Sequence, residues 1–284
     1  MSAAMKAGFM LLAFVNSKGG VGKSTLAVHA AVWLHECGAR VALLDADAQA
    51  GSSEWLARAE PGIRVARMAS SGEILAHAPR LQIDADVVVA DGPAALGGAT
   101  VALLGLADRV LLPIGPSMMD VKASYQTARM IYRLRYQGGR GNPLEAFTIF
   151  NRVQPRTRLS KTAVEAVVKY GFPAAPTVVQ LRQAYADACG RGTVVWRMGA
   201  AAKPAAGEIR RLFGAILAPY QERTIAVDQG AALQRTGAAV ILKRRAQSSD
   251  AFIERLYERL PEHLAPCESP VEEGSSAAGR SRQS

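Results

Sequence analysis

Residues 16–25 read Asn-Ser-Lys-Gly-Gly-Val-Gly-Lys-Ser-Thr, a composition suited to holding a chain of phosphates. Glycines let successive backbone N–H groups turn toward one point, and the first turn of a following helix adds its positive dipole end. Lys18, Gly19, Gly20, Val21, Gly22, Lys23, Ser24 and Thr25 are therefore the expected nucleotide-binding residues. Lys23 would neutralise the β- and γ-phosphates of ATP, and the Ser24 hydroxyl would complete the shell of Mg2+. Ser17 breaks the strict G-x-x-x-x-G-K-[ST] pattern at its first glycine, leaving the variant K-G-G-x-G-K-[ST]. The extra lysine, Lys18, lies five positions before Lys23. From there it can project away from its own nucleotide, toward a second copy of the site across a symmetric interface. Its charge would stabilise the transferring phosphoryl group as an arginine finger does, and hydrolysis would require a homodimer.

Two other segments put acids at strand ends. Val41–Gln49 carries Asp45 and Asp47 past an apolar run, on the same side of an extended chain. Open parallel sheets bind their ligands at that edge. Val87–Pro93 delivers Asp91 from a second apolar run, an arrangement that holds magnesium through water. Asn151 follows the run Phe147–Phe150. Its amide can both donate to and accept from an adenine edge, and a plain turn residue explains it equally well.

The elements that must position these groups are short apolar runs alternating with helix-period segments. Strands are expected at Phe9–Val15, Arg40–Leu44, Ile63–Arg67, Asp86–Ala90, Val110–Ile114, Phe147–Phe150 and Pro176–Val179. Most are apolar on both faces, as strands between two helix layers must be. Helices are expected at Ser24–Cys37 (stopped by Gly38), Ser117–Tyr136, Ser160–Tyr170 and Pro204–Tyr220. This alternation predicts an α/β fold, a doubly wound, mostly parallel twisted sheet with helices on both faces.

The 284 residues are 49% hydrophobic and 20% charged, the balance of a globular chain with a real core, which excludes disorder for most of the length. No apolar run approaches the roughly 18 residues that span a bilayer. Met1–Lys6 and the apolar stretch after it could pass for a signal peptide, but Asn16–Gly20 follows at once without a small-x-small cleavage site, so a buried strand is expected. Cys37, Cys189 and Cys267 form no C-x-x-C pair, which fits a reducing cytoplasm.

The loop and the two acidic strand ends resemble those of the deviant-Walker P-loop ATPases of the ParA/MinD superfamily, most closely the short plasmid-partition type, over residues 8–221. The resemblance implies that Lys18 is the signature lysine that crosses an ATP-sandwich dimer. It also implies that Asp47 orients the attacking water and that Asp45 is a magnesium-side acid behind Asp91. Ala48 stands where that family's D-x-D-P-Q pattern has proline, Trp55 follows at a familiar spacing, and Gly92-Pro93-Ala94 departs mildly from D-x-P-P. Pro113–Asp120 resembles the family's loop at the dimer face. Metabolic or redox relatives need cluster or metal cysteines, which are not placed beside these loops.

Charge is uneven. The chain carries a formal +10, and residues 151–223 hold 12 basic against 4 acidic side chains. Such a stretch suits a polyanion. By the resemblance, Arg182, Arg191, Lys203, Arg210 and Arg211 are the expected contacts to the phosphates of non-specific double-stranded DNA. Aromatics are only 6% of the chain, which disfavours single-strand binding by base stacking. The implied activity is slow ATP hydrolysis stimulated by a small ParB-type adaptor, in a nucleoid-associated protein that positions a plasmid or chromosome. The alternatives are positioning of a protein cargo, such as a carboxysome or chemoreceptor array, or a MinD-like membrane-surface regulator of cell division. Asp250–Leu260 reads as an amphipathic helix whose polar face alternates Asp, Glu and Arg, unlike a lysine-rich membrane-targeting helix, so a membrane partner is not expected. The expected domains are an ATPase unit over 1–223, a helical extension over 224–264 and a disordered tail over 265–284.

Overall fold

Alternation along each strand decides the layers. In β1 (Met10–Phe14), Met10, Leu12 and Phe14 belong to one buried cluster and Leu11 and Ala13 to another, one on each face of the sheet. The computed structural model of the chain describes residues 10–81, 83–137, 144–155 and 161–228. After β1 come α1 (Lys23–Glu36), β2 (Val41–Asp45), α2 (Gly51–Ala59), β3 (Arg64–Arg67), α3 (Ser71–Leu81) and β4 (Val87–Asp91). Then follow α4 (Gly98–Leu106), β5 (Arg109–Ile114), α5 (Met118–Gln137), β6 (Glu145–Phe150), α6 (Lys161–Val168), α7 (Gln183–Arg191) and α8 (Lys203–Asp228).

The six strands form one parallel sheet in the order β3-β2-β4-β1-β5-β6. Helices α1, α2, α7 and α8 share a buried cluster with one face, and α3 to α6 share another with the opposite face. The doubly wound parallel sheet is thus as expected. Because the chain winds in opposite directions on either side of β1, the crevice beyond its carboxyl end is where ligands of such sheets bind. Register brings the acids to the same edge: Asp45 pairs with Asp91 across β2 and β4, and Asp91 with Phe14 across β4 and β1.

The expected seventh strand does not form. Residues 173–181 run beside β6 with only isolated bridges, Thr148 to Ala174 and Val153 to Gln180. Pro173 and Pro176 lack the N–H donors a continuous ladder needs. α1 is more deeply enclosed than a one-faced helix, because α2 and α8 cover the side away from the sheet; residues 26–32 are buried throughout. Gly38, at φ +90°, ends it, its N–H bonded to the carbonyl of His35. The helix expected over Pro204–Tyr220 runs from Lys203 to Asp228, across the boundary expected at 223. The Asp250–Leu260 helix and the tail lie outside the described residues. Arg109, at the start of β5, holds the sheet to α8 by pairing with Glu145 and donating to the carbonyl of Ile216.

Candidate functional site

Between β1 and α1 the chain turns at the carboxyl edge of the sheet, so the N–H groups of the first turn of α1 point at the crevice with no intrahelical acceptors. Gly22 takes φ +90° there, and a Cβ would lie 2.2 Å from Asn151 Nδ2, so both its conformation and the space around it demand glycine. Asn151 explains the closeness. Its Nδ2 donates to the carbonyl of Val21 at 2.7 Å, its Oδ1 accepts from the N–H of Arg152, and the side chain is buried. Arg152, in the left-handed region at φ +57°, donates from Nη1 to the carbonyl of Gly20 at 2.5 Å. The amide expected to read an adenine edge is therefore committed to bracing the back of the loop.

Lys23 is buried, and its Nζ donates to the carbonyl of Lys18 at 3.4 Å. Burial lowers its pKa, while the carboxylates of Asp91 and Asp47 act in the other direction. Asp91 ends β4 with both oxygens buried and without a hydrogen-bond partner. Burial pushes its carboxyl up to about 7; nearby Ser24, Ser52 and Lys23 offset part of that rise, and Asp45 adds to it. A buried carboxylate without donors is suited to pairing with a cation. Its position beside Ser24 at the mouth of the phosphate loop fits magnesium, with Ser24 and Asp91 as the residues that would hold it.

Asp45 is treated differently. Its Oδ1 accepts from the N–H of Asp47 at 3.1 Å, and its Oδ2 from the N–H and Oγ of Ser53 at 2.8 and 2.6 Å. The expected magnesium-side acid spends both oxygens anchoring the start of α2 and the loop before it. Asp47 is half-buried at the rim, and its Oδ1 accepts from the N–H of Gln49 at 3.0 Å. Ala50, next in that loop, is held at φ +53° as the residue preceding α2. Lys18 lies on the opening limb, 39% exposed, with Nζ 3.4 Å from Asp120 Oδ1 of its own chain.

Of the five expected DNA contacts, Arg182 is not available. Its guanidinium is paired with the buried Glu208, Nε at 2.8 Å, and also donates to Gln180 at 2.6 Å. Arg191 at the end of α7, and Lys203, Arg210 and Arg211 on α8, are exposed. Lys203, Arg210 and Arg211 lie within two turns of one helix. Arg197, in the same basic stretch, is bound by Glu36 and Glu60.

Sequence reasoning missed Ser53, Asp120, Ser124 and Thr127, all of which touch the loops of the site. Ser117-Met-Met-Asp120 carried a usable signal, since it is a helix-capping spacing, and Ser117 Oγ does bond the carboxylate and N–H of Asp120. It also missed His29, fully buried edge-on to Trp55, Tyr185 and Trp196. Burial drives its pKa down to about 4. Nδ1 bonds the carbonyl of Thr25 and Nε2 accepts from the N–H of Val195, so it is a satisfied core residue that ties α1 to the segment before α8.

No helix among the described residues is long and apolar enough to cross a membrane. The family model for the CobQ/CobB/MinD/ParA nucleotide binding domain matches residues 12–195. The chain is 32% identical over 211 residues to the maintenance of carboxysome distribution protein A of Halothiobacillus neapolitanus, covering 72% of this chain and 95% of the relative. It is 32% identical over 126 residues to the chromosome partitioning protein ParA of Caulobacter vibrioides, covering 44% and 40%. Among solved structures, the septum site-determining protein MinD of Pyrococcus horikoshii, complexed with Mg-ADP, matches with a TM-score of 0.58 at 14% identity, over 76% of this chain and 98% of that one. That likeness is one of fold.

Proposed function

Because the chain belongs to the CobQ/CobB/MinD/ParA nucleotide-binding family, we propose that it is a ParA-type ATPase that forms an ATP-dependent dimer on non-specific DNA and positions a cargo. The observation that carries this reading is one crevice holding a phosphate loop with two lysines beside a buried carboxylate that has no partner. Magnesium, when bound, would supply positive charge that neutralises part of the charge on the terminal phosphates. Lys23 and the loop N–H groups bind the β- and γ-phosphates of ATP, and Ser24 and Asp91 hold the metal. Asp47 at the rim orients the attacking water. Lys18 reaches the phosphates bound by the second copy. Arg191, Lys203, Arg210 and Arg211 contact DNA phosphates, so affinity falls with salt. A ParB-type adaptor stimulates turnover.

For the cargo, a protein assembly such as a carboxysome is favoured over a centromere. Two relatives named for maintenance of carboxysome distribution match over most of this chain and more than nine-tenths of their own length, whereas the match to the chromosome-partitioning relative spans under half of each protein. Removing Asp47 tests the core of the proposal. With ATP and magnesium, Asp47→Ala should sediment as a dimer and remain on duplex DNA at low salt long after the wild type has released it. A variant found only as single subunits, or released at the wild-type rate, overturns the reading.

A further inference from the structure

The opening limb of the phosphate loop is fastened to α5 by three consecutive residues. Asn16 Nδ2 donates to Ser124 Oγ at 2.8 Å, the N–H of Ser17 donates to Thr127 Oγ1 at 3.1 Å, and Lys18 Nζ lies 3.4 Å from Asp120 Oδ1. Asp120, Ser124 and Thr127 are spaced at i, i+4 and i+7, one face of one helix. Asn16, Ser124 and Thr127 are fully buried, so those two contacts are part of the packed fold. The third differs in kind. Its lysine is 39% exposed and its carboxylate 22%, which makes it a weak, salt-sensitive ion pair.

We propose that Asp120 is the positioning residue that holds Lys18 within its own subunit and so sets how readily this lysine is lent to a second copy. The inference rests on the reading that Lys18 acts across a dimer. The carboxylate is built to be in place before any partner arrives. Ser117 Oγ fixes its Oδ2 at 2.7 Å, and a Cβ at residue 115 would lie 2.3 Å from that oxygen, so Gly115 leaves it the room it occupies. Burial disfavours the charged form, but hydrogen bonds from Ser117 and Lys18 prevail and hold the carboxyl below its ordinary range, so it is ionised at neutral pH. Lys18 therefore faces a choice between two anions, the Asp120 carboxylate of its own chain and the phosphates bound by another. The second carries more charge and is the better partner, but the first must be given up to reach it. Asp120 thereby weakens the dimer and keeps the finger folded away in the single subunit.

Two measurements on the full chain separate this from the reading beneath it. In nucleotide-free protein, the Lys18 amine is labelled with an acylating reagent and followed by mass spectrometry. Asp120→Asn should raise its labelling rate about threefold at low salt, the range expected for losing an exposed ion pair, with the difference shrinking at high salt. Ser117→Ala, which removes one bond that fixes the Asp120 carboxylate but leaves its charge beside Lys18, should give a distinctly smaller gain. In a second arm, dimer formation with a non-hydrolysable ATP analogue and magnesium is measured by ultracentrifugation, and Asp120→Asn should dimerise about fivefold more tightly. Unchanged labelling in Asp120→Asn, or an equal gain in Ser117→Ala, overturns the proposal while leaving the proposed function standing. Faster labelling with unchanged dimer affinity also overturns it, since the cis contact would then not govern lending. A wild-type chain that never dimerises removes the proposed function itself, and this inference with it.

Discussion

β2 and β4 lie side by side and end in the same amino acid in register, yet the two ends are built in opposite ways. Asp45 and Asp91 are both about 1% exposed. Three donors from the next eight residues of the chain satisfy Asp45, whereas Asp91 accepts no hydrogen bond, although Ser24 and Ser52 lie close enough to temper its charge. A satisfied buried carboxylate is a piece of architecture, and here it ties the Asp47 loop and the start of α2 to the sheet. An orphaned one is costly, because burial strips its hydration and no protein donor takes over. The difference shows which end shapes the site and which end is suited to binding a cation.

The comparison breaks most visibly at Asp91. Asp91→Asn should lower magnesium-dependent ATP turnover on the order of 100-fold, as losing one charge-stabilising group does. The same change should raise the stability of the nucleotide-free protein at pH 8 by about 2 kcal/mol, read by urea unfolding, since it removes a buried unpaired charge. If turnover collapses with no gain in stability, the charge at Asp91 was not strained. Asp45→Ala should do the reverse in stability, costing about 2–4 kcal/mol because Ser53 and the N–H of Asp47 lose their acceptor. A loss under about 1 kcal/mol would mean that those contacts do not bear on folding.

Stability against pH sharpens the contrast. Asp91 has its folded pKa raised to about 7 from 3.8, so its stability contribution is full below about 4 and is lost as pH rises through 7. His29 has its folded pKa lowered to about 4 from 6.5, so its burial costs stability as pH falls from 6.5 toward 4. Between about pH 4.5 and 6.5 the two slopes oppose, and the wild-type chain should be nearly flat there. In Asp91→Asn the His29 slope stands alone, and stability should climb with pH by up to about 1.4 kcal/mol per unit. Identical profiles for the two proteins would contradict the raised carboxyl. The smallest effect belongs to Ser52, whose buried hydroxyl has no hydrogen-bond partner. Ser52→Ala should unfold within about 0.5 kcal/mol of wild type, and a loss of several times that would reveal a bond to Asp91 in the working protein.

What could be read before the fold was known follows from how local each signal is. The phosphate loop is ten consecutive residues, and its lysines and glycines declare themselves by spacing alone. β1, β2, β4 and β5 are legible because both faces are covered, which leaves apolar runs along them. The failures are partnerships across the fold. Nothing near Lys18 in sequence points to Asp120, about a hundred positions away, and nothing near Arg182 points to Glu208, so the ion pair that holds the lysine in its own subunit and the one that occupies the arginine are both invisible in the sequence. Asn151 was placed at the right strand end, but its use depended on Val21, on the far side of the sheet sequence. Residues 173–181 carry strand-like valines, and their prolines decided the outcome. Helices α2 and α7 are nine residues each, too short for periodicity to separate them from loop.

Ala50 holds a backbone shape that L-amino acids resist, at about 1 kcal/mol or more, in the middle of the segment that carries Asp47. The contacts of Asp47 and Ser53 with Asp45 bear that load. Slackening those contacts would let Ala50 relax, so the strain there offsets part of the cost of moving the segment that carries Asp47.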